Sequence, residues 1–159
     1  MNQPFSSRNQ PFSTQSQPPQ NPLQANLPQP QQEVPDVPPP KTHGTRFLDL
    51  VEAVKPHINE ITVEDLQQWI ADGKPVHVID VREPIETHKG VIGDPIRIPR
   101  GVLEVQIERA VPDVTETIVL YCAGGNRSAL AAESLGKMGY TSVYSMIGGF
   151  RAWAQSLQP

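Results

Sequence analysis

The spacing of apolar residues predicts helices and strands along the C-terminal two thirds of the chain. Phe47, Leu50, Val51 and Val54 recur every three or four residues, which is typical of an amphipathic helix that ends before Pro56. The same spacing predicts further helices over residues 62–73, 102–110, 128–138 and 150–157. Short runs that are apolar nearly throughout predict buried strands, and they lie at residues 76–81, 117–121 and 143–147.

The second of these helices carries signals at both ends. Thr62 is followed three residues later by Asp65, the arrangement of a capping box. Leu66, Trp69 and Ile70 then share one face, and Gly73 is expected to end the helix.

Strands alternate with helices from residue 76 to the end of the chain. Such alternation is typical of a parallel sheet covered by helices on both faces. We therefore predict one α/β domain over residues 46–159.

Residues 1–45 have a different composition, dominated by Gln, Pro, Asn and Ser, and they contain 11 of the 18 prolines. So few apolar residues cannot offset the entropy lost when a chain becomes ordered. We therefore predict a disordered tail that acts as a spacer. The Pro35-x-x-Pro38 pattern also fits a polyproline ligand, which keeps a partner for the tail as an alternative.

The composition narrows the range of partners and compartments. A formal net charge of −4 offers no basic surface for nucleic acid or an anionic membrane, and no apolar run is long enough to cross a bilayer. A single cysteine cannot form an internal disulfide, and the first residues lack the features of a secretory signal. We therefore expect a cytoplasmic protein, with import into an organelle as the alternative.

Three segments follow predicted strands and begin at Asp80, Cys122 and Gly148. In an open parallel sheet, ligands bind beyond the carboxyl ends of the strands. The middle segment joins a strand to a helix through a small loop, whose backbone N–H groups can point inward around an anion. It consists of Cys122, Ala123, Gly124, Gly125, Asn126, Arg127 and Ser128.

Cys122 is the candidate nucleophile, and we expect it at the rim of this loop. A helix N-terminus or an adjacent cation favours the thiolate form of a cysteine, and a thiolate needs no general base. Arg127 falls in the first turn of the predicted helix, where a cation opposes the helix dipole. It should therefore face an anionic substrate or an internal carboxylate.

The remaining charged residues indicate supporting roles. We interpret Asp80 and Arg82 as a local ion pair that holds their loop, in preference to direct substrate contacts, and Glu83 as a charge at a helix N-terminus. The four histidines and single cysteine have no metal-ligand spacing. We expect neither a metal nor an organic cofactor.

Four segments, in this order and spacing over about residues 58–157, resemble the single-domain rhodaneses. They are Asp80-Val81-Arg82-Glu83, Ile98-Pro99-Arg100-Gly101, Tyr121-Cys122-Ala123-Gly124-Gly125-Asn126-Arg127-Ser128 and Gly148-Gly149-Phe150-Arg151-Ala152-Trp153.

The resemblance implies a rhodanese-like α/β fold and a sulfurtransferase. It implies that Cys122 carries sulfur as a persulfide, that the backbone from Ala123 to Ser128 forms the cradle, and that Arg127 helps hold an anionic donor such as thiosulfate. Asp80 and Arg82 are then supporting residues. The partners are a small sulfur-containing anion or persulfide donor and an external acceptor, a thiol, a protein or cyanide, because no second cysteine can resolve the persulfide.

One segment departs from the family pattern. Rhodaneses commonly have Gly-His-Ile-Pro-Gly-Ala before the Ile-Pro turn, where this chain has Gly90-Val91-Ile92-Gly93-Asp94-Pro95. We expect the missing histidine to change a contact at the rim, and with it the donor preference, but not the fold.

Two other functions stay open. Cysteine phosphatases cradle phosphate in a similar loop, but five residues separate their cysteine from their arginine, and four separate Cys122 from Arg127. Tyr121 also stands where many of them have histidine. The other alternative is a non-catalytic rhodanese-like module whose tail recruits a partner.

Overall fold

The computed structural model of the protein describes residues 44–158. The predicted tail, apart from its last two residues, and the Pro35-x-x-Pro38 pattern lie outside these residues, so both stay predictions. The first described helix begins at Thr45, one residue before the predicted start of the domain.

The described residues form five helices and five strands. The helices are α1 (Thr45–Val54), α2 (Val63–Ala71), α3 (Leu103–Ala110), α4 (Asn126–Lys137) and α5 (Gly149–Ser156). The strands are β1 (Asn59–Ile61), β2 (His77–Asp80), β3 (Ile96–Arg97), β4 (Ile118–Tyr121) and β5 (Val143–Met146). Short 3₁₀ segments lie at Lys55–His57, Pro84–Lys89 and Arg100–Val102.

The predicted helices and strands are confirmed, but sequence periodicity did not find β1 or β3. These two strands have three and two residues, too few for an alternating pattern to stand out. Both lie at the edges of the sheet, whose order is β1-β5-β4-β2-β3. Their pairing with β5 and β2 defines them, and pairing is a tertiary property.

All pairings in the sheet are parallel, and β4 lies at its centre between β5 and β2. Side chains alternate along β4, as the pleat of a strand requires. Ile118 and Leu120 pack in an apolar cluster with α3 and α4, whereas Val119 and Tyr121 pack in a second cluster with α2 and α5. The predicted fold class, a parallel sheet with helices on both faces, is confirmed.

The capping box of α2 is present as predicted. The N–H of Asp65 donates to Thr62 Oγ1 at 3.1 Å, and the N–H of Thr62 donates to Asp65 Oδ2 at 2.9 Å. Both bonds satisfy backbone donors that have no partner within the helix.

Two residues that were assigned to buried apolar helix faces are largely exposed to solvent. Leu50 of α1 is 54% exposed and Ile70 of α2 is 49% exposed. Helix α1 packs on α4 with Val51 and Val54 buried, and Leu66 is the fully buried residue of α2. A helix with a single packed side buries a narrow stripe, so apolar residues at the margin of that stripe stay exposed.

Candidate active site

Cys122 directly follows the central strand β4, and its sulfur lies at the N-terminus of α4. The backbone N–H of Gly125 donates to Sγ with a distance of 3.1 Å, and the oxygen of the Ser128 hydroxyl lies 3.8 Å from Sγ. The Gly125 N–H stabilises negative charge on the sulfur, as does the positive end of the helix dipole.

Two buried polar groups hold the Ser128 hydroxyl in place. It is fully buried, donates to the carbonyl oxygen of Gly125 at 3.0 Å, and lies 2.9 Å from the hydroxyl of Ser145 on β5. Ser145 was not identified from the sequence, because a lone serine inside a strand carries no local signal. The two hydroxyls form a buried polar layer beneath the cysteine loop.

The first turn of α5 clamps the cysteine loop. The N–H of Phe150 donates to the carbonyl oxygen of Cys122 at 2.7 Å, and the N–H of Arg151 donates to that of Ala123 at 3.1 Å. Gly149 has a φ of +56°, and a Cβ there would collide with the carbonyl oxygen of Cys122. Glycine is therefore required for this approach, which ties the segment after β5 to the loop after β4.

Cys122 lies deeper than the sequence predicted. The residue is 2% exposed and belongs to the apolar cluster beneath α4, so its expected place at the rim is wrong. It continues the alternation of β4, which directs its side chain toward that cluster. It nevertheless lines a cavity of about 220 Å³, the other lining residues being Phe47, Ala123, Gly124, Arg127 and Arg151.

Arg127 forms an internal ion pair. Its two terminal nitrogens each lie 2.7 Å from a carboxylate oxygen of Glu86, in a bidentate arrangement. These hydrogen bonds raise the pKa of Arg127 despite its burial, and the negative charge of an ionised Cys122 contributes in the same direction. Of the two roles that the sequence left open for Arg127, the structure supplies the internal carboxylate. Glu86 is 41 residues away and was not predicted.

Asp80 and Arg82 form a sealed ion pair. Arg82 Nη2 lies 2.6 Å from Asp80 Oδ2. The side chain of Arg82 is 2% exposed and that of Asp80 is 0% exposed. Arg82 also donates to the carbonyl oxygen of Gly90 at 2.8 Å. Burial pushes the pKa of Arg82 down, but the hydrogen bonds and charge of Asp80 more than reverse this, so its pKa is raised. The geometry agrees with a local ion pair and not with a substrate contact.

Tyr121 completes this buried group. Its hydroxyl donates to Asp80 Oδ2 at 2.8 Å and accepts from the N–H of Ile92 at 3.2 Å. Burial is the main reason that the pKa of Tyr121 is raised to about 12. The hydroxyl therefore stays protonated near neutral pH and acts as a fixed donor to Asp80.

Two further predicted residues lie beside the site. Asn126 is the first residue of α4 and is half-buried. Glu83 is the N-cap of the 3₁₀ segment Pro84–Lys89, and its N–H donates to Glu86 Oε2 at 2.9 Å. Within residues 44–158, no group of three or more metal-ligating side chains comes together, and no helix has the length and apolarity needed to cross a membrane.

Arg151 was not singled out from the sequence, although a signal was available. It falls in the first turn of α5, where a cation opposes the helix dipole, the same argument that drew attention to Arg127. Phe47 could not be found in this way, because nothing in the spacing of α1 relates it to a loop 75 residues further along the chain.

Comparison with known proteins finds relatives whose descriptions agree with one another. The rhodanese-like domain family matches residues 62–156. A sulfurtransferase of Allochromatium vinosum is 35% identical over 98 residues, which cover 62% of this chain and 90% of that protein. A rhodanese-related protein of Thermoplasma volcanium has 34% identity and a TM-score of 0.54, covering 64% of this chain and 95% of its own.

One solved structure carries a different description. A protein of unknown function from Rhodopseudomonas palustris, described as a possible tyrosine phosphatase, has 30% identity and a TM-score of 0.67. The match covers 76% of this chain and 97% of that one. The matched family spans well over half of the present chain, and the relatives support sulfur transfer as the general class of activity. The chain therefore belongs to the rhodanese-like domain family.

Proposed function

We propose that the protein transfers a sulfane sulfur from thiosulfate or a persulfide donor to a thiol or cyanide acceptor through a persulfide on Cys122. The Cys122 thiolate attacks the outer sulfur of the donor, and a new S–S bond forms. With thiosulfate, the bond between its two sulfurs breaks and the electron pair leaves with sulfite. The acceptor thiolate or cyanide then attacks the outer sulfur of the persulfide, and the Cys122 thiolate leaves.

The hydrogen bond from the Gly125 N–H to Cys122 Sγ, at the wall of a cavity that contains two arginines, carries the proposal. A backbone donor preorganised around the sulfur stabilises the same negative charge in the thiolate and in the persulfide. The helix N-terminus contributes to both states as well. No proton has to move in the first half-reaction, so the site needs no general base.

The acceptor has to come from outside the chain. Cys122 is the one cysteine in the sequence, so no internal thiol can attack the persulfide and close a disulfide. An external thiol of a small molecule or another protein fills that role.

The direct test is mass spectrometry of the intact protein after incubation with thiosulfate. The expected result is one added sulfur atom on Cys122, removed by a reducing thiol, with none on Cys122→Ser. Serine keeps the size of the side chain but is a far weaker nucleophile at neutral pH, so a folded Cys122→Ser protein is the matched control. A wild-type protein with a free thiol and no adduct from either thiosulfate or a persulfide would contradict the proposal.

Two further comparisons separate the alternatives. Hydrolysis of an aryl phosphate by the wild type and not by Cys122→Ser would favour a phosphatase. An interaction module would show no sulfur transfer in either the full chain or a chain lacking residues 1–43, and the shorter chain would lose a partner.

A further inference from the structure

The two arginines in the wall of the Cys122 cavity differ in how their charge is compensated. Both terminal nitrogens of Arg127 bond to Glu86, so its positive charge is neutralised inside the protein. Arg151 has no carboxylate within ion-pair distance among residues 44–158. The charge that is available to an incoming anion is therefore that of Arg151.

The side chain of Arg151 lies directly on the cysteine loop. Its guanidinium reaches the space that a Cβ on Gly124 would occupy, with Nη2 2.9 Å and Cζ 3.3 Å from that position. Gly124 has no positive φ, so its backbone does not require glycine. A Cβ at Gly124 would contact the guanidinium, which is the flexible end of a long side chain, so the contact shows that the guanidinium lies against the loop at Gly124.

The backbone of Arg151 is fixed by hydrogen bonds to the same loop. Its N–H donates to the carbonyl oxygen of Ala123 at 3.1 Å, and the preceding N–H of Phe150 donates to that of Cys122 at 2.7 Å. The guanidinium therefore projects from an anchored backbone at the wall of the cavity that Cys122 also lines. A planar guanidinium offers paired N–H donors to the oxygens of an anion.

We propose that Arg151, and not Arg127, is the specificity-determining residue that binds the sulfonate end of an anionic sulfur donor in the Cys122 cavity. This inference rests on the proposed sulfur transfer and deepens it by naming the charged group that recognises the donor. The cavity, about 220 Å³, is smaller than the roughly 300 to 1,000 Å³ typical of pockets for drug-sized ligands. A small anion such as thiosulfate, with its outer sulfur toward Cys122 and its oxygens toward Arg151, suits it.

The test compares Arg151→Gln and Arg151→Lys with Arg109→Gln, which removes the same charge from the exposed last turn of α3. Persulfide formation is followed at increasing thiosulfate concentration. Arg151→Gln should raise the half-saturating concentration about tenfold or more, because a charge-assisted hydrogen bond is lost. The maximal rate of Arg151→Gln should change less than its half-saturating concentration. The half-saturating concentration of Arg151→Lys should lie between those of Arg151→Gln and the wild type, and that of Arg109→Gln should match the wild type.

A second measurement does not depend on sulfur transfer. Cys122 is alkylated with iodoacetate, an anion, and with iodoacetamide, its neutral counterpart, and the ratio of the two rates reports the cation beside the sulfur. Arg151→Gln should lower this ratio severalfold, and Arg109→Gln should not. An unchanged ratio together with an unchanged half-saturating thiosulfate concentration overturns the assignment to Arg151. A wild type that forms no persulfide instead overturns the proposed function, and the alkylation ratio still decides whether Arg151 draws anions to Cys122.

Discussion

The loops after β2 and β4 leave adjacent strands at the same edge of the sheet, but they place their polar groups differently. Asp80, the last residue of β2, and Arg82 in the loop after it are buried together with Tyr121, whereas Glu86 further along that loop pairs with Arg127. The loop after β4 and the first turn of α4 place the sulfur of Cys122 and the side chain of Arg127 along a cavity. The ion pair of Arg127 with Glu86 is about 30% exposed, whereas that of Asp80 with Arg82 is at most 2% exposed.

The difference in burial separates groups that support the site from groups that can meet a substrate. A sealed ion pair must stay complete, because either charge alone would be buried without compensation. It holds its loop rigidly, and the Arg82 guanidinium also lies 4.2 Å from the ring centroid of Phe150, next to the α5 turn that clamps Cys122. A group that reacts needs a path for its substrate and therefore lies along a cavity. The loop after β2 thus supports the site that the loop after β4 provides.

The largest expected effect comes from breaking the sealed pair. Asp80→Asn keeps the shape of the side chain but removes its charge, which leaves Arg82 buried and uncompensated. We expect the free energy of unfolding to fall by about 3 to 5 kcal/mol, measured by urea denaturation. A loss smaller than about 1 kcal/mol would show that the pair is not sealed in solution.

A double variant checks the cause of that loss. Arg82→Met alone should also destabilise the protein, since it leaves Asp80 buried without a compensating charge. Asp80→Asn combined with Arg82→Met removes both charges and should cost less than the sum of the two single losses, because no buried charge remains. Additive losses would mean that the two residues act independently and would contradict the proposed support.

A smaller effect is expected from the ion pair at the cavity. Glu86→Gln removes the charge opposite Arg127, but water reaches both side chains. We expect the free energy of unfolding to fall by about 1 kcal/mol, again by urea denaturation. A loss as large as that of Asp80→Asn would remove the distinction between the buried ion pair and the ion pair at the cavity.

The smallest effect is a pH dependence of the same pair. Hydrogen bonds from Arg127 are the main reason that the pKa of Glu86 lies below its ordinary value of 4.5. A carboxyl with a lowered pKa in the folded state stabilises the protein above its unfolded pKa, and this stabilisation is lost as the pH falls through its folded pKa. The stability difference between wild type and Glu86→Gln should therefore be constant near neutral pH and shrink below about pH 4.5.

Thermal unfolding of the two proteins between about pH 7 and about pH 3 measures this change. Other carboxyls with lowered pKa values, such as Asp65 in the capping box of α2, are common to both proteins and cancel in the difference. A difference that stayed constant to the acid end would contradict the assignment to Glu86.

Local patterns predicted much of the fold and the identity of the candidate nucleophile. The capping box at Thr62 and Asp65 is complete within four residues, and the strand-to-helix loop that begins at Cys122 is contiguous. Features that depend on distant packing were missed or placed wrongly. Leu50 and Ile70 are examples, because a helical period gives the apolar side but not how wide a stripe its neighbour covers.

The environment of the cysteine also combines features set by local sequence with features set by distant packing. Residues 62–156 match the rhodanese-like family, but Phe47, which lines the cavity, lies on α1 and precedes that range. Glu86 and Ser145 reach the site from other segments of the chain. None of these three contacts leaves a periodic or contiguous trace in the sequence.

The amino-acid sequence by itself determined the α/β class, the place of the loop after β4 and the presence of a single thiol there, because each follows from neighbouring residues. Only the tertiary structure decided how deep Cys122 lies and which arginine keeps its charge available. Those properties depend on what the parallel sheet brings to one edge: Glu86 neutralises Arg127, while Arg151 lies on Gly124 without a carboxylate partner among the described residues. Burial and charge compensation are set by groups far apart in the chain, so local spacing does not encode them.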